Sequence, residues 1–139
     1  DRITRQWTSL NVKGRPSTVR VNASVCLDQG KVFIFGGLNE ECAALNSTEI
    51  FDLRQLRWMK LLLPSNHEHL PEPRHSHSCT KLTDGTFLIL GGKSSCEVMD
   101  PESFRDGWKF NPGENSWTSY KMSGNIPEYL SGHQTYMID

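Results

Sequence analysis

Four of the five histidines in this 139-residue chain fall within eleven residues: His67, His69, His75 and His77. Imidazoles at that density raise the question of a metal centre. His75 and His77 are two apart, so on a strand they would share one face. No carboxylate or cysteine completes a ligand set with them, and no metal is expected. Two arginines, Arg20 and Arg74, each precede a serine by four residues. Their planar forks suit carboxylates, either those of a partner or those of a neighbouring strand. Cys26, Cys42, Cys79 and Cys96 contain no Cys-x-x-Cys pair, so no zinc knuckle is encoded. There is no Gly-x-Ser-x-Gly, no phosphate-cradling glycine loop and no His-Glu-x-x-His. No catalytic residue is therefore assigned, and no cofactor is expected in this segment.

Composition narrows the setting. With 36% apolar and 22% charged residues the chain is too apolar for a disordered tail. Fifteen basic against sixteen acidic side chains, a net charge of -1, remove any global argument for nucleic-acid steering. A local basic patch would still be compatible with that balance. No apolar run approaches the ~20 residues of a membrane span, and the first residues show no basic-then-apolar pattern, so no signal segment is expected among them. The sequons Asn22-Ala23-Ser24 and Asn46-Ser47-Thr48 are of a kind that arises often by chance. A reduced, cytoplasmic protein is expected, with a secreted one as the alternative. Eleven glycines and seven prolines point to many turns, hence to β structure.

The chain repeats itself. Gly36-Gly37 ends the apolar run Val32-Phe33-Ile34-Phe35, and Gly91-Gly92 ends Phe87-Leu88-Ile89-Leu90, 55 residues later. Arg20 aligns with Arg74, and Ser24 with Ser78, each 54 apart. Ala23, His77 and His133 form a third column. Phe51 pairs with Phe110, and Trp58 with Trp117, both 59 apart; Trp7 lies 51 before Trp58. Each unit then reads as four short strands. In the first they are 21–27, 31–35, 48–52 and 58–62. In the second they are 75–82, 86–90, 107–110 and 117–120. Asp84-Gly85 and Asp28-Gln29-Gly30 supply the hairpin turns. Four antiparallel strands of this kind make one propeller blade.

The glycine pairs, the third-strand aromatic, the spaced tryptophans and Asn115-Ser116-Trp117 together resemble the kelch repeat. The resemblance implies an all-β fold: a kelch-type β-propeller segment of about two full four-stranded blades plus partial flanking blades. The expected divisions are 1–10, the end of one blade; 15–62, a blade; 71–120, a second blade; and 127–139, the start of the next. Gly36, Gly37, Gly91, Gly92, Trp7, Trp58, Trp117, Phe51 and Phe110 are then structural repeat positions, with Trp108 as further packing. The third unit departs from the pattern, with Leu130 in the arginine column. About 2.8 units of ~50 residues fit the chain. It is therefore expected to belong to a longer polypeptide, or to complete a ring with other copies.

In kelch propellers the arginine loop opens on one face of the ring. The resemblance thus makes Arg20, Arg74, His77 and His133 candidate partner-binding residues, with structural pairing as their alternative. The expected partner is a protein on one propeller face, or the remaining blades of the same chain; no membrane partner is expected. Cys26 and Cys79 fall one position out of alignment on successive first strands, so they are expected to face opposite ways and to act as packing. Cys42 and Cys96 follow the two glycine pairs and would be neighbours in adjacent loops, where a disulfide would imply secretion. Asn22 is expected in an inner strand, which leaves Asn46 as the better sequon.

Two functional classes follow from the resemblance. One is a non-catalytic interaction platform, as in substrate adaptors of ubiquitin ligases and actin-binding scaffolds. The other is an accessory domain. The stretches 73–92 and Arg105-Asp106-x-Trp108-x-Phe110 also resemble the propeller of leucine carboxyl methyltransferase-like proteins that make wybutosine in tRNA. That likeness implies a tRNA contact and a methyltransferase outside these residues, and the net charge lends it no independent support. A secreted, carbohydrate-related propeller is the third reading.

Overall fold

The computed structural model describes residues 3–61, 70–96 and 103–138. Among them are eight strands and no helix: β1 (Ser24–Asp28), β2 (Lys31–Phe35), β3 (Thr48–Asp52), β4 (Arg57–Lys60), β5 (Ser78–Lys81), β6 (Phe87–Leu90), β7 (Gly107–Asn111) and β8 (Ser116–Tyr120). They form two sheets, β1-β2-β3-β4 and β5-β6-β7-β8, in which every pair is antiparallel. These are the two expected blades. The first strand of each starts three residues later than expected. Asn22 and Ser76 adopt left-handed φ angles of 55° and 54°, which bend the chain just before the ladder begins.

The blades stack face to face, and the core is the seam between them. Pairing within the first sheet puts Cys26, Phe33 and Ile50 on one row and Ser24, Phe35 and Thr48 on the next. That face meets Cys79, Phe87, Ile89, Phe110 and Trp117 of the second sheet. The Phe33 ring lies edge-on to Phe87 at 5.0 Å, and Phe35 lies 4.7 Å from Trp117.

Cys26 and Cys79 correct the expectation drawn from their offset. Their sulfurs are joined, with Cα atoms 6.3 Å apart. Successive blades are related by rotation, so the front of one meets the back of the next. Residues that face opposite ways in two aligned units are therefore the ones that touch. Closing a loop with a sequence separation of 53 constrains the unfolded chain by about 4 kcal/mol in the chain-entropy account.

The same stacking separates residues that the repeat treats as equivalent. Phe110 and Trp117 are 2% and 8% exposed because the first blade covers them. Phe51 and Trp58 pack on each other at 5.0 Å but stay half-exposed, because they lie on the first blade's other face. Trp7, expected in the core, is 101% exposed, and no described residue before Ser24 belongs to a strand. The described part of 127–139 also carries no strand. It nonetheless docks as the next unit would: Gly92 N–H donates to the Leu130 carbonyl (2.6 Å), as Gly37 N–H donates to Arg74 (2.9 Å). Gly36 and Gly91 permit this approach. A Cβ at either would collide with the carbonyl of Arg74 or Leu130, and both sit at positive φ.

Truncating the two aligned phenylalanines should therefore cost different amounts. We expect Phe110→Ala to lose about 3–5 kcal/mol and Phe51→Ala about 1–2 kcal/mol in urea unfolding.

Candidate functional site

Each arginine of the repeat turns inward and buckles its own blade. Arg74 is 0% exposed. Its fork donates to both oxygens of Asp106, at 2.6 and 2.8 Å, while Nη1 also reaches the Gly91 carbonyl (3.0 Å) and Nε the Glu72 carbonyl (3.1 Å). Phe104 lies beneath the guanidinium, 4.2 Å from ring centre to Cζ. Arg20 makes the aligned set: Nη1 donates to the Gly36 and Ser47 carbonyls (2.9 and 3.1 Å), and Nη2 to Ser47 Oγ (3.1 Å) and Glu49 (3.0 Å). Burial pulls the Arg20 pKa down, and the Glu49 charge opposes that pull. Burial pushes Asp106 up, but the Arg74 bonds and charge, with the Trp108 indole N–H at 2.7 Å, more than offset it and leave the carboxyl below its usual range.

The two acids were not signalled in the sequence, because they occupy different columns. Asp106 aligns with Ser47, whereas Glu49 aligns with Trp108. One arginine thus reaches its carboxylate at the base of the third strand and the other two residues along it.

The histidines are parted by the bend at Ser76. His75 turns to its own blade's loop, with Nε2 at 2.8 Å from the Ser95 carbonyl. His77 crosses the seam to Ser24, with Nε2 2.7 Å from Oγ, and its ring packs on Phe35 at 5.3 Å. His133 repeats this contact on Ser78 at 3.0 Å. The shared face expected for His75 and His77 is therefore absent, and among the described residues no three His, Cys, Asp or Glu side chains gather as a metal site. His67 and His69 lie outside the described residues. A serine hydroxyl on an imidazole is also the pairing of a nucleophile with its base. Here Ser24 and Ser78 are buried, and neither Nδ1 has a partner to orient the ring. The pair recurs unit by unit, as a structural contact does. Burial drives the His77 pKa down to about 3, assisted by the Arg74 charge, and burial also lowers His133.

With the arginines turned inward, the loops beyond the glycine pairs present what remains on that face. A recess of about 650 Å³ opens between the loops of the two blades, lined by Ala43, Ala44, Pro73 and Phe104, with Glu72 at its side and both Cys42 and Cys96 on its wall. The two cysteines thus line one recess, and their sulfurs are not joined. Asn39 shapes the first loop by accepting from the N–H groups of Glu41 and Ala43. Asn46 lies in this loop and is partly exposed; Asn22, contrary to the expectation of an inner strand, is exposed at the bend before β1.

Blade topology, paired glycines and the inward arginine column agree with the comparison to known families. All of residues 1–139 match the KLHDC2/KLHL20/DRC7 Kelch-repeats domain. The chain belongs to this kelch-repeat family. It is 30% identical over 123 residues to the Rho GTPase-activating protein gacHH of Dictyostelium discoideum, across 87% of this chain and 8% of that protein. It is 29% identical over 135 residues to Kelch domain-containing protein 3 of Rattus norvegicus, across 91% of this chain and 34% of that one. It is 29% identical over 119 residues to the F-box/kelch-repeat protein SKIP20 of Arabidopsis thaliana, across 84% and 27%. The kelch segment thus spans about a third or less of each of these relatives.

Two measurements check the electrostatics of the kelch units. Arg74→Ala should cost about 1–3 kcal/mol, because it leaves the Gly91 and Glu72 carbonyls without their donor, while Asp106, 41% exposed, keeps water and the Trp108 N–H. Arg74→Lys should recover only part of that, since an ammonium cannot make both parallel bonds. Folded His77 binds its proton near pH 3, whereas an unfolded histidine does so near pH ~6.5. Between those values the unfolded chain binds more protons. Stability should therefore be intact above pH ~6.5 and decline as the pH falls toward 3. In His77→Gln the urea midpoint should vary less over that window; the slope that persists belongs to His133 and, below about pH 4, to the carboxylates held under their usual range, Asp106 among them.

Proposed function

We propose that this kelch segment is a non-catalytic docking platform whose protein partner meets the loop face. The recess between the loops of adjacent blades carries this reading. Its floor of Ala43, Ala44, Pro73 and Phe104 is apolar, and Glu72, Ser94 and Ser95 edge it. An apolar centre within a polar rim is the anatomy of protein interfaces. Kelch repeats are typically protein-interaction domains. The relatives named as F-box/kelch-repeat proteins favour the adaptor form, in which the propeller holds the substrate and another segment of the full protein does the rest. The same proposal has the segment act in the cytoplasm and without a cofactor of its own. None of the relatives named above points to the tRNA-modifying or the carbohydrate-related reading, and neither is carried forward.

A photoreactive residue at Ala43, on the loop face, and one at Thr83, in the hairpin at the opposite end, would test it in the full-length protein. Cross-linked partners should be recovered from position 43 and not from position 83. Equal recovery from both, or recovery from position 83 alone, would overturn the loop-face assignment.

A further inference from the structure

The seam between the blades is a ladder with evenly spaced rungs. Ser24 bonds His77 at 2.7 Å, Cys26 joins Cys79, and Asp28 pairs with Lys81 at 2.5 Å. Each rung lies two residues beyond the last on both strands, and each links positions 53 apart. The following seam repeats the pattern. Ser78 bonds His133 at 3.0 Å, and two residues further Thr80 donates to the Thr135 carbonyl at 2.8 Å, with the two hydroxyls also in contact. The middle rung is thus a cystine in one seam and a pair of threonines in the next.

That substitution carries the inference. The fold does not require a covalent middle rung, because the same position holds with two hydroxyls. Nor would the first seam part on losing the bond. Its Phe33, Phe35, Phe87, Phe110 and Trp117 cluster and its two flanking polar rungs do not involve sulfur. Among the described residues this cystine is the covalent tie between the sheets. Its two residues also differ in exposure. Cys26 is buried, whereas Cys79 is partly exposed and lines a cavity of about 310 Å³ with Ser24, Val25, His77, Ser78 and His133.

We propose that Cys26–Cys79 is a reversible redox site that sets the rigidity of this seam, and that its co-reactant is a small thiol or disulfide entering beside Cys79. In the reducing direction a dithiol's thiolate attacks Cys79 Sγ. The S–S bond breaks, and its electron pair goes to Cys26, which takes a proton. The dithiol's second thiol then displaces Cys79 from the mixed disulfide. Two protein thiols form, and the dithiol leaves as its own disulfide, having given up two electrons and two protons. Oxidised glutathione runs the step in reverse, with two glutathione thiols as product.

The test uses peptide mapping and thermal unfolding of the protein held in oxidised glutathione or in dithiothreitol, with exposed Cys42 as the reference thiol. We expect a Cys26–Cys79 linked peptide in the first buffer and both residues alkylated in the second. The linked form should melt roughly 5–15 °C higher and exchange its β1 and β5 amides more slowly. The double variant Cys26→Thr, Cys79→Thr copies the next seam's rung. It should fold, and it should melt with the reduced form in both buffers. Three results would overturn the proposal: separate alkylation of the two cysteines in oxidised glutathione, a link that leaves melting and exchange unchanged, or unfolding of the reduced protein or the threonine variant.

Discussion

Stacking one twisted sheet on the back of the next is the constraint on which the rest of this molecule depends. A four-stranded sheet has two faces, and a repeat that stacks by rotation must make them complementary rather than alike. Here the front of the first blade offers Cys26, Phe33, Phe35 and Ile50, and the back of the second answers with Cys79, Phe87, Phe110 and Trp117. Aromatic rings dominate because they bury the most area per residue and interlock at oblique angles. The paired glycines follow from the same demand. At Gly36 and Gly91 the next unit's main chain comes so close that no side chain fits.

Polar groups drawn into that seam had to find partners there. The arginine forks satisfy the carbonyls at the glycine turns, and Asp106 and Glu49 balance their charges. Serine and histidine pair across the blades. Arg20, Arg74, His77 and His133 are therefore already engaged within the fold. Such groups position the loops that carry Ala43 and Phe104.

The repeat was legible because its landmarks are rare residues at fixed intervals. Gly-Gly, Phe and Trp in three aligned columns located both sheets and nearly all their strands. What escaped was geometry that a column cannot express. The left-handed turns at Asn22 and Ser76 shorten the first strands and separate His75 from His77, and a strand pattern alone gives no sign of them. The arginine partners sit in unlike columns, so the alignment hid them. The cysteines were placed on the correct strands and assigned the correct opposite facings. Only the rotation that brings opposite facings together was missing from the reading. Trp7 shows the converse limit, since a repeat position predicts burial only where a neighbouring blade covers it.

A double-mutant cycle on Phe35 and Trp117, whose rings meet across the seam at 4.7 Å, tests this account most directly. Phe35→Leu, Trp117→Leu and the double variant would be compared by urea unfolding. If the blades stack as described, the two losses are coupled by about 0.5–1.5 kcal/mol, as expected for an aromatic pair in contact. Losses that add to within about 0.3 kcal/mol would mean that the two rings do not meet, and would contradict the seam.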